Sequence, residues 1–211
     1  MKIVLRILLL GAIATLLYMC YWSIMSNIEF VSERESREKA IVERLMEIRS
    51  AQIGYRNVNG TFAGSFEDLQ KFLNEVKIPF LVKEGDLTDE QLKSGLTEKE
   101  AVKKGLIRRD TTWILAKDTL LTNKKLKVSD IGKVPGFEDH TFSIDTATIP
   151  SVSGYMIPVF EVGVVYDVYL DGLERQLLIN LKDEKVKLGR YPGLRIGSVK
   201  EINNNAGNWE F

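Results

Sequence analysis

The chain has 211 residues, of which 45% are hydrophobic and 27% charged, so it can form one ordinary domain plus an anchor and is not disordered throughout. Beyond residue 25 it carries 27 basic and 29 acidic residues, a net charge of −2, and so near-neutral a domain gains little from counterion release on nucleic acid. The sequence has a single cysteine, Cys20, and a single histidine, His140. An internal disulfide and any cysteine-based or multi-histidine metal site within one chain are therefore excluded.

The first predicted element is an uncharged apolar run of nineteen residues, from Ile7 to Met25. As a helix with a rise of about 1.5 Å per residue it is roughly 28 Å long, close to the hydrocarbon thickness of a bilayer. We therefore predict a transmembrane anchor over residues 1–28, with the lipid bilayer as its partner. The anchor residues are Leu8, Leu9, Leu10, Ile13, Leu16, Leu17 and Trp22.

Flanking charge predicts the orientation of this anchor. Lys2 and Arg6 precede the apolar run, and the next basic residue after it is Arg34, so the N-terminus is expected in the cytoplasm and the rest outside it. Two alternatives stay open. A cleaved signal peptide has a shorter apolar core and a small-residue cleavage site, and a lipid anchor at Cys20 requires a small residue where Met19 stands.

Residues 29–58 are predicted to continue as an amphipathic stem helix, because apolar side chains recur at helical spacing. The stripe consists of Ile41, Leu45, Ile48, Gln52 and Tyr55. It either packs on the domain that follows it or forms a surface for copies of the chain and partner stems. In the second case Ile41, Leu45, Ile48 and Tyr55 are the candidate interaction residues.

Residues 59–211 are predicted to form the head. Asn59-Gly60 is a helix-ending turn, and Ser65 is a good N-cap for a helix over 66–76. Two capping-box patterns predict a helical insert over 88–105. Runs rich in β-branched and aromatic residues predict strands at 78–82, 111–116, 140–149, 156–170, 176–181 and 194–199, with Pro158 at an edge or a bulge. This order predicts an α+β domain with a small antiparallel sheet and short helices.

Few residues suggest chemistry. Glu138-Asp139-His140 form either metal ligands or a solvated turn, and Asp167 and Asp171 either an acid–base pair or backbone caps. No serine lies in a nucleophile elbow and no glycine-rich loop precedes a helix, so we expect no catalytic residue, metal or cofactor. Trp209 and Phe211 on the polar C-terminal tail are either tucked into the head or offered to a partner.

The N-terminal third resembles type IV pilins and the pseudopilins of type II secretion. The matching residues are Arg49, Ala51, Gln52 and Tyr55, the Asn59-Gly60-Thr61-Phe62 turn, and Ser65 to Leu69. The resemblance implies a long helix, half embedded in the membrane, whose upper half packs on an α+β head. The prepilin peptidase site of those families, a Gly-Phe pair with a glutamate five residues in, is not found here.

The whole chain is also similar to a family of uncharacterised single-pass envelope proteins of Gram-negative bacteria, which share stretches such as VYLDGLERQLLINL and YPGLRIGS. This similarity implies an inner-membrane anchor and a periplasmic head, and no activity. The function expected is therefore that of a non-enzymatic scaffold subunit of an envelope assembly, with other envelope proteins, and its own copies, as partners. The alternative is a ligand-binding or sensory module on the same anchor, and an envelope hydrolase ranks third.

Overall fold

The computed structural model describes residues 2–84, 100, 108–151 and 153–210. It is an α+β structure with a long N-terminal helix and small antiparallel sheets. Its contacts divide the chain into two compact units: residues 1–49 with 131–211, here the first unit, and residues 50–130, the second unit. The predicted fold class is confirmed at this level, and the predicted boundaries at residues 28 and 58 stay predictions.

Helix α1 spans Lys2–Asn59 and so includes both the apolar run and the predicted stem. It contains no proline. It ends where the sequence predicts, because Gly60 has a φ of +79°, a backbone conformation that only glycine adopts without strain. The backbone N–H of Gly60 donates to the carbonyl of Arg56 at 2.8 Å and closes the last turn.

The second unit contains two helices and a two-stranded sheet beside the end of α1. Helix α2 begins as predicted, since the Ser65 hydroxyl accepts a hydrogen bond from the Asp68 N–H at 3.1 Å. The buried apolar side chains of the second unit are Ala51, Phe62, Ala63, Leu69, Phe72, Leu73, Ala116 and Leu121. The elements are α2 (Phe66–Glu75), β1 (Lys77–Glu84), antiparallel β2 (Arg108–Leu115), α3 (Ala116–Leu120) and a 3₁₀ turn (Val128–Asp130).

The first unit contains a β3–β4 hairpin and a three-stranded antiparallel sheet in the order β5-β6-β7. The middle of β6 is buried on both faces, at Val159, Phe160, Val162 and Val164, whereas Met156 at the strand's start is exposed. β6 is the central strand of its sheet, so the predicted edge strand at Pro158 is wrong. Pro158 is tolerated there because it pairs with Thr148 of β5 and lies outside the part of β6 that pairs with β7. The elements are β3 (Lys133–Val134), β4 (Phe137–Thr141), β5 (Ser143–Pro150), β6 (Met156–Val165), α4 (Tyr166–Tyr169), α5 (Arg175–Lys187) and β7 (Gly193–Gly197).

One strand prediction is wrong and two are correct only in part. Residues 176–181 belong to helix α5, and the strand predicted over 156–170 turns into helix α4 at Tyr166. The strand predicted over 140–149 is interrupted at Phe142, a buried residue whose N–H donates to the Gly132 carbonyl. At 166–170 and 176–181 the short apolar runs suit either a strand or a helix, and tertiary packing favours the helix.

The C-terminal NNNAGN segment, read from sequence as a polar loop only, hydrogen-bonds to the edge of β7. Gly197 N–H donates to Ala206 O, Asn208 N–H donates to Arg195 O, and Ile196 forms a bridge with Gly207. These bonds satisfy backbone groups that an open edge would leave to solvent. The predicted helical insert over 88–105 lies outside the described residues, except for Glu100.

Candidate functional site

The N-terminal half of α1 has the surface expected of a bilayer span. Its large apolar residues from Ile3 to Ile24, and Ile28, are each 45–72% exposed, whereas Met25 is half-buried. None of the most apolar stretch is buried within the chain. Among the described residues this is the one helix long and apolar enough to cross a membrane. The predicted anchor residues Leu8, Leu9, Leu10, Ile13, Leu16, Leu17 and Trp22 all lie on this exposed surface.

The predicted stem stripe lies in the protein interior. Ile41, Leu45 and Ile48 are completely buried in the first unit. This burial supports the alternative in which the stem packs on its own domain, and it removes these three side chains from any surface offered to a partner. The exposed large apolar residues of the stem lie elsewhere, at Val31, Met46 and Val58, and Ile28 just before the stem is exposed as well.

Arginines hold the stem half of α1 to the rest of the first unit. Arg37 donates to the carbonyls of Tyr169 and Asp171, both at 3.0 Å. Arg49 pairs with Glu210 at 3.3 Å, near the C-terminus. Charged hydrogen bonds of this kind add geometric specificity to the apolar packing of the same helix.

A buried polar network connects α1 with α4. The Tyr169 hydroxyl donates to Glu38 Oε1 at 3.1 Å, and Arg34 Nε donates to the same oxygen at 3.0 Å. Burial, followed by the negative charge of Glu38, raises the pKa of Tyr169 well above its ordinary value. Burial likewise raises the pKa of Tyr166 beside it. Both tyrosines are therefore neutral hydrogen-bonding groups at physiological pH.

A polar cavity of about 520 Å³ opens beside this network, and we call it the head cavity. It brings together α1, the end of α5, β7 and the C-terminal segment. Its aromatic walls are Tyr166, Tyr191 and Trp209, and its charged lining is Arg34, Glu38, Lys185, Arg190, Arg195 and Glu201. A volume of this size is within the range of small-molecule sites.

The charges of the head cavity are partly neutralised. Arg195 pairs with Glu161 at 3.2 Å and lies over the Tyr191 ring, 5.2 Å from its centroid. Within the part of the chain that the structure describes, the side chains of Lys185 and Arg190 have no ion-pair partner. These two cations therefore favour an anionic group in the cavity.

Glycines make the walls of the head cavity possible. A Cβ on Gly193 would collide with the Val164 carbonyl, and one on Gly207 would collide with the Trp209 ring. Trp209 is half-buried, which supports its being tucked against the chain. Phe211, its predicted companion, lies outside the described residues.

In the second unit, Gln52 is buried and holds the turn after α1. Its Nε2 donates to the Ala63 carbonyl and its Oε1 accepts from the Ala63 N–H, both at 2.9 Å. The predicted interaction residue Tyr55 is half-buried against Phe72, with ring centroids 5.2 Å apart in an edge-on arrangement. The part of the stripe beyond residue 50 therefore also packs within its own chain.

The other sequence candidates are not brought together. Glu138, Asp139 and His140 lie exposed on strand β4, not in a turn. Asp167 forms an ion pair with Lys182 of α5, and Asp171 accepts from Arg37 through its backbone carbonyl. Over residues 2–84, 100, 108–151 and 153–210 no three metal-ligating side chains cluster.

Comparison of the chain with protein-family models, curated proteins and solved structures gave no match.

Sequence reasoning missed the head cavity. Its lining comes from four segments that are far apart in the chain, and no single motif contains the set. The Tyr191-Pro192-Gly193 turn and the aromatic Trp209 on the polar tail were the available signals in the sequence.

Proposed function

We propose that the protein is a non-enzymatic scaffold subunit of a cell-envelope assembly, held in the inner membrane by α1 with its head in the periplasm. The observation that carries the proposal is the exposed apolar surface from Ile3 to Ile28. Covering such a surface with lipid is strongly favourable, at roughly 25 cal/mol per Å² of apolar area removed from water. Anchoring also raises effective concentration, so weak contacts with partners are sufficient.

The continuity of α1 supports a scaffold role of the pilin-like kind that the sequence resembles. One uninterrupted helix carries both the apolar run and the buried residues Ile41, Leu45 and Ile48. A head built around the extension of its own anchor is held at a set distance from the bilayer. Its exposed stem residues Ile28 and Val31 then lie where neighbouring copies would meet them.

Anchoring and orientation are tested together in a Gram-negative host. The full chain is expected in the membrane pellet after alkaline carbonate extraction, and alkaline phosphatase fused after residue 210 is expected to be active. Recovery from the soluble fraction without the apolar run would contradict the anchor. An inactive phosphatase fusion together with a fluorescent cytosolic fusion would contradict the orientation.

Scaffold contacts are tested by cysteine crosslinking in membranes, with Cys20→Ser as the background. Cysteine at Val31, exposed on the stem, is expected to trap a dimer or a partner adduct. Cysteine at Leu45 is the matched control, because that side chain is buried and is expected to give no adduct. Monomer alone at Val31 and at the exposed Ile28 would contradict a stem interface.

The head cavity favours a second candidate, a ligand-binding module on the same anchor. Aromatic walls suit the flat face of a sugar, and Lys185 and Arg190, which have no ion-pair partner among the described residues, suit a carboxylate. Titration with glucuronic acid, followed by tryptophan fluorescence, is expected to show saturable binding that Lys185→Ala with Arg190→Ala removes. Glucose is the uncharged control. Equal responses to both sugars, or none, would contradict this candidate.

A further inference from the structure

A second opening in the first unit lies lower on α1, and we call it the interfacial groove. It encloses about 720 Å³ between α1, from Tyr21 to Glu33, and the loop of residues 172–174 that precedes α5. The loop is fixed rather than loose, because Arg37 donates to the carbonyls of Tyr169 and Asp171 immediately before it. Phe30, between the two walls, is only 6% exposed.

The groove follows the boundary of the apolar run. Along α1, its lower end is lined by Tyr21, Trp22 and Met25, the last residues of that run, and its upper end by Glu29 and Glu33. Twelve residues of helix extend about 18 Å, whereas the headgroup layer on one side of a bilayer is roughly 5–8 Å thick. With α1 inserted, the groove therefore begins in hydrocarbon and crosses the headgroup layer.

The upper end of the groove is negatively charged. Glu29 of α1 and Glu174 of the facing loop both line the groove, and within the described residues neither carboxylate has a hydrogen bond or ion pair. Glu33 is already paired with Arg37 at 3.0 Å. No lysine or arginine side chain is among the described lining residues. This arrangement disfavours an anionic headgroup and favours a cationic one.

We propose that the interfacial groove binds a phospholipid whose headgroup ends in a primary ammonium. The glycerol region and first acyl carbons contact Tyr21, Trp22 and Met25, and the ammonium group lies between the carboxylates of Glu29 and Glu174. A primary ammonium donates hydrogen bonds to carboxylates and a quaternary choline does not, so the two zwitterionic headgroups are distinguished. The inference rests on the proposed membrane anchoring.

Native mass spectrometry of the full chain tests the proposal. The protein is released from nanodiscs that contain equal amounts of phosphatidylethanolamine, phosphatidylcholine and phosphatidylglycerol. Retained phosphatidylethanolamine is expected to exceed each of the others by about tenfold, the ratio that one charge-assisted hydrogen bond supplies. Glu29→Gln with Glu174→Gln is expected to abolish the preference, and Glu35→Gln, exposed on α1 outside the groove, is expected to keep it.

The outcomes separate this inference from the proposed function. Equal retention of the three lipids, or a preference that survives the double substitution, would overturn the groove assignment while the anchor stands. Failure of the wild-type chain to enter nanodiscs at all would overturn the anchor. Because Glu29 and Glu174 are exposed, the double variant is expected to fold, and unchanged circular dichroism verifies this.

Discussion

The buried side chain of Gln52 provides the sharpest test of how the sequence holds this fold. In Gln52→Leu the apolar replacement is of similar size, but the Ala63 N–H and carbonyl both lose their partner. Ala63 is only 1% exposed, so water does not readily replace the side chain. An orphaned buried group costs about 1–3 kcal/mol, and two such groups predict a loss of about 2–5 kcal/mol.

Hydrogen exchange of the full chain in mild detergent measures this loss locally. The amide of Ala63 is expected to exchange at least about thirtyfold faster in Gln52→Leu than in the wild type, since about 1.4 kcal/mol corresponds to tenfold. Gln70→Leu is the matched control, because it removes one exposed hydrogen bond to the Ser129 carbonyl and is expected to cost less than about 0.5 kcal/mol. Equal exchange in the two variants would refute the reasoning.

The remaining predictions concern the first unit, and urea unfolding in detergent measures each of them. Leu45→Ala is expected to cost about 2–5 kcal/mol because its side chain is fully buried, whereas the adjacent, exposed Met46→Ala should cost less than about 1 kcal/mol. Gly197→Ala should destabilise more than Gly189→Ala: both residues have positive φ, but only at Gly197 would a Cβ strike the Phe160 carbonyl. Stability should be retained below about pH 10 and fall at higher pH, because the pKa of Tyr169 is raised in the folded state, and Tyr169→Phe should flatten that fall. A fall that is equally steep in Tyr169→Phe, or equal losses in either matched pair, would contradict the corresponding prediction.

Much of the fold follows from local signals in the sequence. The length and end of α1, the cap at Ser65, and the strands at 78–82 and 194–199 were all predictable, because periodicity, a capping hydroxyl and turn residues determine them locally. Helix α5 was missed because its first half, QLLINL, is apolar and suits a strand. The following KDEKVKLG contained the better signal, with Lys185 and Lys187 in the last turn and Gly189 beyond it.

The candidate sites were less predictable than the elements, for a physical reason. The stem stripe was correctly identified as apolar, but sequence alone does not say whether Ile41 and Leu45 face the same chain or another. The head cavity depends on long-range packing that places Arg34, Tyr191 and Trp209 together. Residues that come together from separate segments in this way produce no periodic pattern in the sequence of any one segment.

With α1 inserted in a bilayer as proposed, its unbroken course would carry any tilt of the apolar half directly to the stem half. Arg49 lies 24 residues beyond Met25, about 36 Å along the helix axis, so tilting the helix by about 10° moves that point sideways by about 6 Å. Spans adjust their tilt to bilayer thickness, and this helix contains no proline hinge to absorb the change. Lipid composition, through the tilt of α1, would then determine the sideways position of the residues around Arg49 relative to the anchor.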